Sequence, residues 1–221
     1  MTTESTARRP PPNFDRLAGI YRWLEVASFG PFLWRCRTAF LPELANCHRA
    51  LVLGDGDGRF TARLLNENPE IFALAVDASP AMLQALRHRT PPHAARLQTQ
   101  LADIRIWQPP PDLSDLVVTN FFLDCLTTDE VQTLAVKLSH SLTPGGFWVV
   151  SEFAVPPGLF GRLIARPVVS GLYWAFGWLT GLRVRKLPNH TAALQNAGFL
   201  LCRSQTLLGG LLISELWVKA S

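Results

Sequence analysis

Leu51-Val52-Leu53-Gly54-Asp55-Gly56-Asp57-Gly58-Arg59-Phe60, followed by Ala75-Val76-Asp77-Ala78-Ser79, decides how this chain folds. An apolar run enters a turn with three glycines, and about twenty residues later a second apolar run ends in an acid. This is the pattern of a β-α-β unit that cradles a nucleotide. The glycines let the backbone turn tightly and approach a ligand closely. An acid at the end of the second strand can accept hydrogen bonds from both ribose hydroxyls.

The turn itself discriminates between cofactors. The dinucleotide fingerprint G-x-G-x-x-G places a pyrophosphate on a helix N-terminus. Here Gly58 comes one residue early and Arg59 stands where that fingerprint needs its third glycine. Asp55 and Asp57 would repel a pyrophosphate, whereas a sulfonium and an ammonium tolerate them. No G-x-x-x-x-G-K-[ST] occurs, so a P-loop is unsupported. The arrangement favours S-adenosylmethionine over NAD or ATP.

Further along, Leu101-Ala102-Asp103 places an acid where a third strand should end, suited to an adenine amino group. Asp115-Leu116-Val117-Val118-Thr119-Asn120 reads as a buried fourth strand with polar groups at its carboxyl end. Leu142-Thr143-Pro144-Gly145-Gly146 turns into a fifth, Phe147-Trp148-Val149-Val150-Ser151-Glu152. In this order the motifs resemble those of the class I S-adenosylmethionine-dependent methyltransferases, over roughly residues 49 to 154. The opening Asn13-Phe14-Asp15-Arg16-Leu17-Ala18-Gly19-Ile20-Tyr21 is similar to the start of the quinone-type, small-molecule members.

The resemblance implies an α/β fold: a Rossmann-like, seven-stranded, mostly parallel sheet with helices on both faces and a final antiparallel strand. It implies that Gly54, Gly56 and Gly58, with Asp55, line the methionine part of the cofactor. Asp77, with Ala78 and Met82 beside it, would take the ribose, and Asp103 with Ile104 the adenine. Asn120 and Phe121 would lie beside the methyl donor. One departure stands out: where the family usually carries an acid two residues before the first glycine, this chain has Val52. The task of fixing the cofactor's ammonium group must then weaken or pass elsewhere, Asp55 being one choice.

With 221 residues and 48% hydrophobic content, the chain can bury one good core. A single domain is expected over 13–221, preceded by a polar, proline-rich and disordered tail over 1–12. Cys36, Cys47, Cys125 and Cys202 are scattered without C-x-x-C or paired histidine spacing, which argues against a zinc site and a disulfide framework. The polar start lacks signal-peptide character, so a cytoplasmic location is expected. A net charge of +4 is mild. Solvated helix faces account for the basic clusters; attraction to an acidic membrane or an anionic substrate is the sharper reading. Nucleic acid is not expected, because Asn120-Phe121-Phe122-Leu123 replaces the loop that grips a flipped base. Oligomeric state is not legible.

Helical spacing predicts N-terminal cap helices over 13–27 and from Pro31 to about Leu44, within a cap spanning 13–46. Strands are expected at about 49–53, 71–76, 95–100, 115–119 and 147–152, with helices after Gly58, after Ser79 and over 128–141. Leu207 to Val218, broken by Gly209-Gly210, suits a closing hairpin. Residues 156–187 lie outside the common core. Their uncharged stretch falls short of the ~20 residues a membrane-spanning helix needs. They read as a helical cover over the sheet's carboxyl edge, as the roof of an apolar acceptor pocket, or as peripheral membrane contact.

Methyl transfer from a sulfonium needs alignment, exclusion of water and, for some acceptors, a base. Asp124, just past the fourth strand, is the leading candidate for that base or for binding the acceptor; a capping or solvated loop carboxylate is the plain alternative. Phe122, Tyr21 and Tyr173 complete the expected acceptor site, with packing as the simpler reading of Tyr21. No metal ligand set is indicated. The function expected is methylation of a small, apolar or aromatic acceptor at oxygen or carbon. Its rivals are an NAD(P)-dependent oxidoreductase and a non-catalytic relative that binds cofactor or partner.

Overall fold

The computed structural model describes residues 29–180 and 186–220, with only the backbone of Tyr173 and of residues 175–180. Short apolar runs make the central strands, because parallel strands are buried on both faces. β1 (Arg49–Leu53), β2 (Phe72–Asp77), β3 (Leu97–Leu101), β4 (Ser114–Asn120) and β5 (Leu142–Phe153) are parallel. β6 (Phe199–Leu207) and β7 (Leu212–Lys219) complete a seven-stranded sheet in the order β3-β2-β1-β4-β5-β7-β6. β7 runs antiparallel to both neighbours. Strand order reverses between β1 and β4, so their carboxyl ends open a crevice where ligands of such sheets bind.

The helices are α1 (Pro31–Arg37), α2 (Arg59–Glu67), α3 (Pro80–Arg89), α4 (Thr128–Ser141), α5 (Arg166–Thr180) and α6 (His190–Asn196). Local chemistry starts two of them sharply. The Ser79 hydroxyl accepts from the Met82 amide at the head of α3, and Thr127 with Glu130 forms a reciprocal capping box on α4. On one face of the sheet, Leu51, Val117, Trp148 and Trp217 pack with Leu134, Leu138 and Leu194. On the other, Val52, Leu116, Val118 and Val149 pack with Phe40, Leu44, Phe60 and Leu64. The two fully buried tryptophans also satisfy their N–H groups, Trp148 on the Thr119 hydroxyl and Trp217 on Glu215, both at 3.0 Å.

The chain departs from sequence expectation in four places. The helix expected from Pro31 to Leu44 stops at Arg37, and Leu41–Leu44 forms a separate 3-10 turn. Pro42 is the cause: it offers no N–H and disfavours helix at the residue before it. β3 starts at Leu97 because Pro91–Arg96 is a 3-10 turn, pinned by Arg96 donating to the Leu65, Asn68 and Ile71 carbonyls. β5 begins at Leu142, which pairs with Ser114 ahead of the Gly145 turn. β6 begins at Phe199, and the expected hairpin turn falls at Leu208–Gly210. The cover is helical: a π-turn over Gly161–Ala165 runs into α5. Among the described residues no helix is long and apolar enough to cross a membrane. The tail, the helix expected over 13–27 and Tyr21 lie outside the described residues.

Candidate functional site

The turn after β1 is held by its own acids. Gly54, Gly56 and Gly58 have φ of 63°, 58° and 78°, a region where a Cβ is strained. Nothing lies within 4 Å of a Cβ built on Gly56, so the middle of the turn faces open space. Gly58 is different: a Cβ there would meet Leu86 at 2.2 Å, because α2 and α3 approach closely. Asp55 does not point into that space with both oxygens. Its Oδ2 accepts from the Thr61 amide (2.8 Å) and hydroxyl (2.7 Å), capping the first turn of α2. Burial lifts its pKa to about 6, against the pull of those hydrogen bonds and of Arg37. Asp57 is paired with Arg59 (3.0 Å) and Arg89 (2.7 Å).

At the next two strand ends the acids are already engaged. Asp77 Oδ1 accepts from the Ser79 amide at 2.8 Å, a local turn that fixes the carboxylate at the crevice. Ala78 is exposed beside it and Met82 is buried beneath. Asp103 is clamped by Arg105, whose Nη2 lies 2.6 Å from Oδ2, and this holds its carboxyl below the usual range. Lys137 fixes the same loop by donating to the Arg105 and Trp107 carbonyls, and Ile104 is buried. Asp103 therefore stands at the expected strand end, with its charge shared with Arg105.

The exit of β4 carries the most unusual local chemistry. Asn120 is 5% exposed, and neither its amide nitrogen nor its oxygen has a partner. An unpaired buried polar group costs about 1–3 kcal/mol, so such a side chain marks a place where a ligand or water is received. Phe121 follows with φ of 53°, strained for an aromatic residue. Its amide donates to the Ser151 carbonyl at 2.7 Å. The Phe122 ring lies against Gly54, so close that a Cβ there would sit 2.2 Å from the ring. Asp124 lies in the following 3-10 turn, where burial raises its pKa to about 6 and the Cys125 thiol donates to it at 3.4 Å. It does not cap α4; Thr127 does.

Three participants were not singled out from sequence. Glu152, at the end of β5, is 2% exposed; its Oε1 accepts from the Phe122 (3.1 Å) and Leu123 (2.7 Å) amides, and its Oε2 has no partner. Burial raises its pKa well above the usual range, and the Asp124 charge adds to this. In sequence it is the last polar residue of an apolar strand, the same signal that marked Asn120. Arg37 is buried at the end of α1, its guanidinium 5.3 Å from the Phe121 ring centre. Glu215 on β7 accepts from His190 Nε2 at 3.0 Å, which gives His190 a structural partner. Tyr173 falls in α5. Val52 is 1% exposed within the apolar cluster under α2, so the acid usual at that position has no counterpart there.

Comparison with known proteins agrees with this fold. Residues 50–146 match the family described as "Methyltransferase domain". The chain is 31% identical over 166 residues to a malonyl-[acyl-carrier protein] O-methyltransferase of Paenibacillus, covering 72% of this chain and 58% of that protein. It is 35% identical over 106 residues to a trans-aconitate 2-methyltransferase of Variovorax paradoxus, covering 48% and 38%. The chain thus spans less than two thirds of either relative. Among solved structures, an O-methyltransferase family protein from Burkholderia thailandensis superposes with a TM-score of 0.69 at 14% identity, covering 92% of this chain and 60% of the other, which shows a shared fold.

Proposed function

We infer, from a chain that carries a class I S-adenosylmethionine-dependent methyltransferase domain, that it methylates a small apolar or aromatic acceptor at oxygen or carbon. The observation that carries this reading is the meeting of three strand ends: an open glycine turn, Asp77, and a buried Asn120 whose amide is unpartnered. These residues fit S-adenosylmethionine. Gly56 leaves room for a ligand against the backbone, Asp77 suits ribose hydroxyls, and Asn120 offers both a donor and an acceptor. The cofactor supplies an electrophilic methyl group on a sulfonium. With Val52 apolar, the acidic contact to an ammonium falls to Asp55, whose Oδ2 is committed to Thr61.

The chain's part is positioning and proton control. Phe121 and Phe153 (5.0 Å between centres), Phe29 against Phe153 (5.3 Å), and Leu212 form an apolar wall beyond Asn120. Such a wall excludes water and orients a flat acceptor. Asp124, poised near pH 6, takes the proton from an acceptor hydroxyl, while burial and the Asp124 charge push the Glu152 carboxyl upward and so disfavour a second negative charge beside it. An acidic acceptor is the second reading. Arg37, buried over Phe121, would pair with a carboxylate, and the relatives are named for malonyl-acyl carrier protein and trans-aconitate. Transfer of labelled methyl from S-adenosylmethionine to panels of phenols, quinols and dicarboxylates tests both. Product from the aromatic panel supports the first reading, and product from the dicarboxylates alone replaces it. No product from either panel, with no S-adenosylhomocysteine binding, would overturn methyl transfer.

A further inference from the structure

We propose that the outer face of the cover docks on an anionic lipid surface. Along the π-turn and α5, Ala165 and Val169 face inward against Phe29, Phe153 and Leu211, and Gly161 is buried against Pro156. Gly161 must be glycine, since a Cβ there would fall 1.7 Å from the Pro156 carbonyl oxygen. With that side fixed inward, Leu159 (73% exposed), Leu163 (70%), Ile164 (50%) and Trp174 (76%) turn outward. Leu163 and Trp174 stand three helical turns apart on one side, with Arg166 and Ser170 between them, both exposed. Large apolar side chains gathered on one exposed helix face mark an interaction surface.

Charge selects the occupant. Between Glu152 and Glu215 the sequence contains no Asp or Glu, yet it contains Arg162, Arg166, Arg183, Arg185 and Lys186 within or just after the cover; Arg203, on β6, is already paired with Glu43. A second copy of this chain would bring the same positive segment against itself and be repelled. An anionic bilayer accepts the leucines and the tryptophan below its headgroups and the arginines among its phosphates. The inner side of the same helix packs on Phe153, whose ring meets Phe121 at a tilt, so the docked face leads toward the apolar wall of the site. Delivery of a lipophilic acceptor along that path rests on the methyl-transfer reading; binding to lipid does not.

Flotation of the full chain with vesicles tests the docking without any methyl acceptor. Vesicles of phosphatidylcholine with one quarter phosphatidylglycerol should carry the chain upward, with affinity at least ~10-fold above that for phosphatidylcholine alone. Leu163→Asp combined with Trp174→Ala should weaken binding by ~10-fold or more, as should Leu159→Asp, made separately. Arg162→Glu with Arg166→Glu should weaken it by ~10-fold or more. All these side chains are exposed, so unchanged melting temperatures are expected alongside. The proposal is overturned if the chain stays at the bottom of the gradient, or binds neutral vesicles equally well. It is also overturned if both apolar variants bind as the parent does. Light scattering that shows a dimer, split by those same substitutions, would assign the face to a second copy instead.

Discussion

Asp124→Asn tests the pairing of half-buried Asp124 with buried Glu152 most directly. In an unfolded chain this carboxyl titrates near 3.8, and in the fold near 6, because burial penalises its charged form. Between those values the native state holds a proton that the unfolded state has lost. The unfolding free energy therefore falls as pH rises through that window, and the loss is complete above about pH 6. A displacement of roughly two pH units corresponds to about 3 kcal/mol. Asparagine is never charged and escapes this cost; removing the Asp124 charge also lets Glu152 ionise more easily, which acts in the same direction. Urea unfolding from pH 4 to 8 should show the variant near parity with the parent at the acid end. It should become more stable by about 1–3 kcal/mol at pH 7.5. Turnover should drop ~100-fold or more, and the rise of the parent's rate through about pH 6 should vanish. A stability difference that is the same at pH 4.5 and 7.5 would refute the account of burial. Full activity in the variant would remove Asp124 as the base.

Other perturbations separate architecture from ligand binding. Gly58→Ala meets Leu86 side chain and backbone at 2.2–2.9 Å and holds a φ of 78°, so a loss of about 2–4 kcal/mol is expected in thermal or urea unfolding. Gly56→Ala meets nothing within 4 Å; it should cost only about 1–2 kcal/mol of backbone strain while weakening S-adenosylhomocysteine in calorimetric titration. Asp77→Ala removes the acceptor of the Ser79 amide and should cost about 1–3 kcal/mol in unfolding while reducing that affinity ~10-fold or more; unchanged affinity would displace the ribose assignment. His190→Ala removes one of two donors to the buried Glu215, with an expected cost of about 1–3 kcal/mol that Glu215→Gln in the same chain should partly restore.

The fold was legible where a local rule had no competitor. Ser79-Pro80 and the acidic start at 128–130 announce helix starts, which the Ser79 hydroxyl and the Thr127–Glu130 capping box then make, and the apolar runs at 51–53 and 116–118 read as buried strands. Boundaries slipped where a long-range contact decided. Nothing near Leu142 in sequence shows that it pairs with Ser114, and nothing near Arg96 shows that its guanidinium will hold three carbonyls far earlier in the chain. The site divides the same way. Gly56, Asp77 and Asn120 follow from their places at strand ends. The hold of Thr61 on Asp55 and of Arg105 on Asp103 depends on side-chain rotamers that spacing does not encode. Glu152 and Arg37 meet the β4 exit from 30 and 84 residues away.

The placement of unfavourable features is itself informative. Single buried hydroxyls without partners, at Ser114 and Ser141, lie at the start of β4 and the end of α4. Each belongs to a rotor that a small adjustment can satisfy. The carboxyl ends of β4 and β5 hold something different: an amide unpartnered on both atoms, a glutamic acid half-satisfied, a carboxyl raised to about 6, and an aromatic residue at φ 53°. Each costs on the order of 1–3 kcal/mol, and none is needed to close the sheet, whose core is complete on both faces. A chain that keeps four such costs within one crevice is better explained by what enters the crevice than by the fold. That cluster, more than the glycine turn alone, is why catalysis is a stronger reading here than a fold retained only for binding.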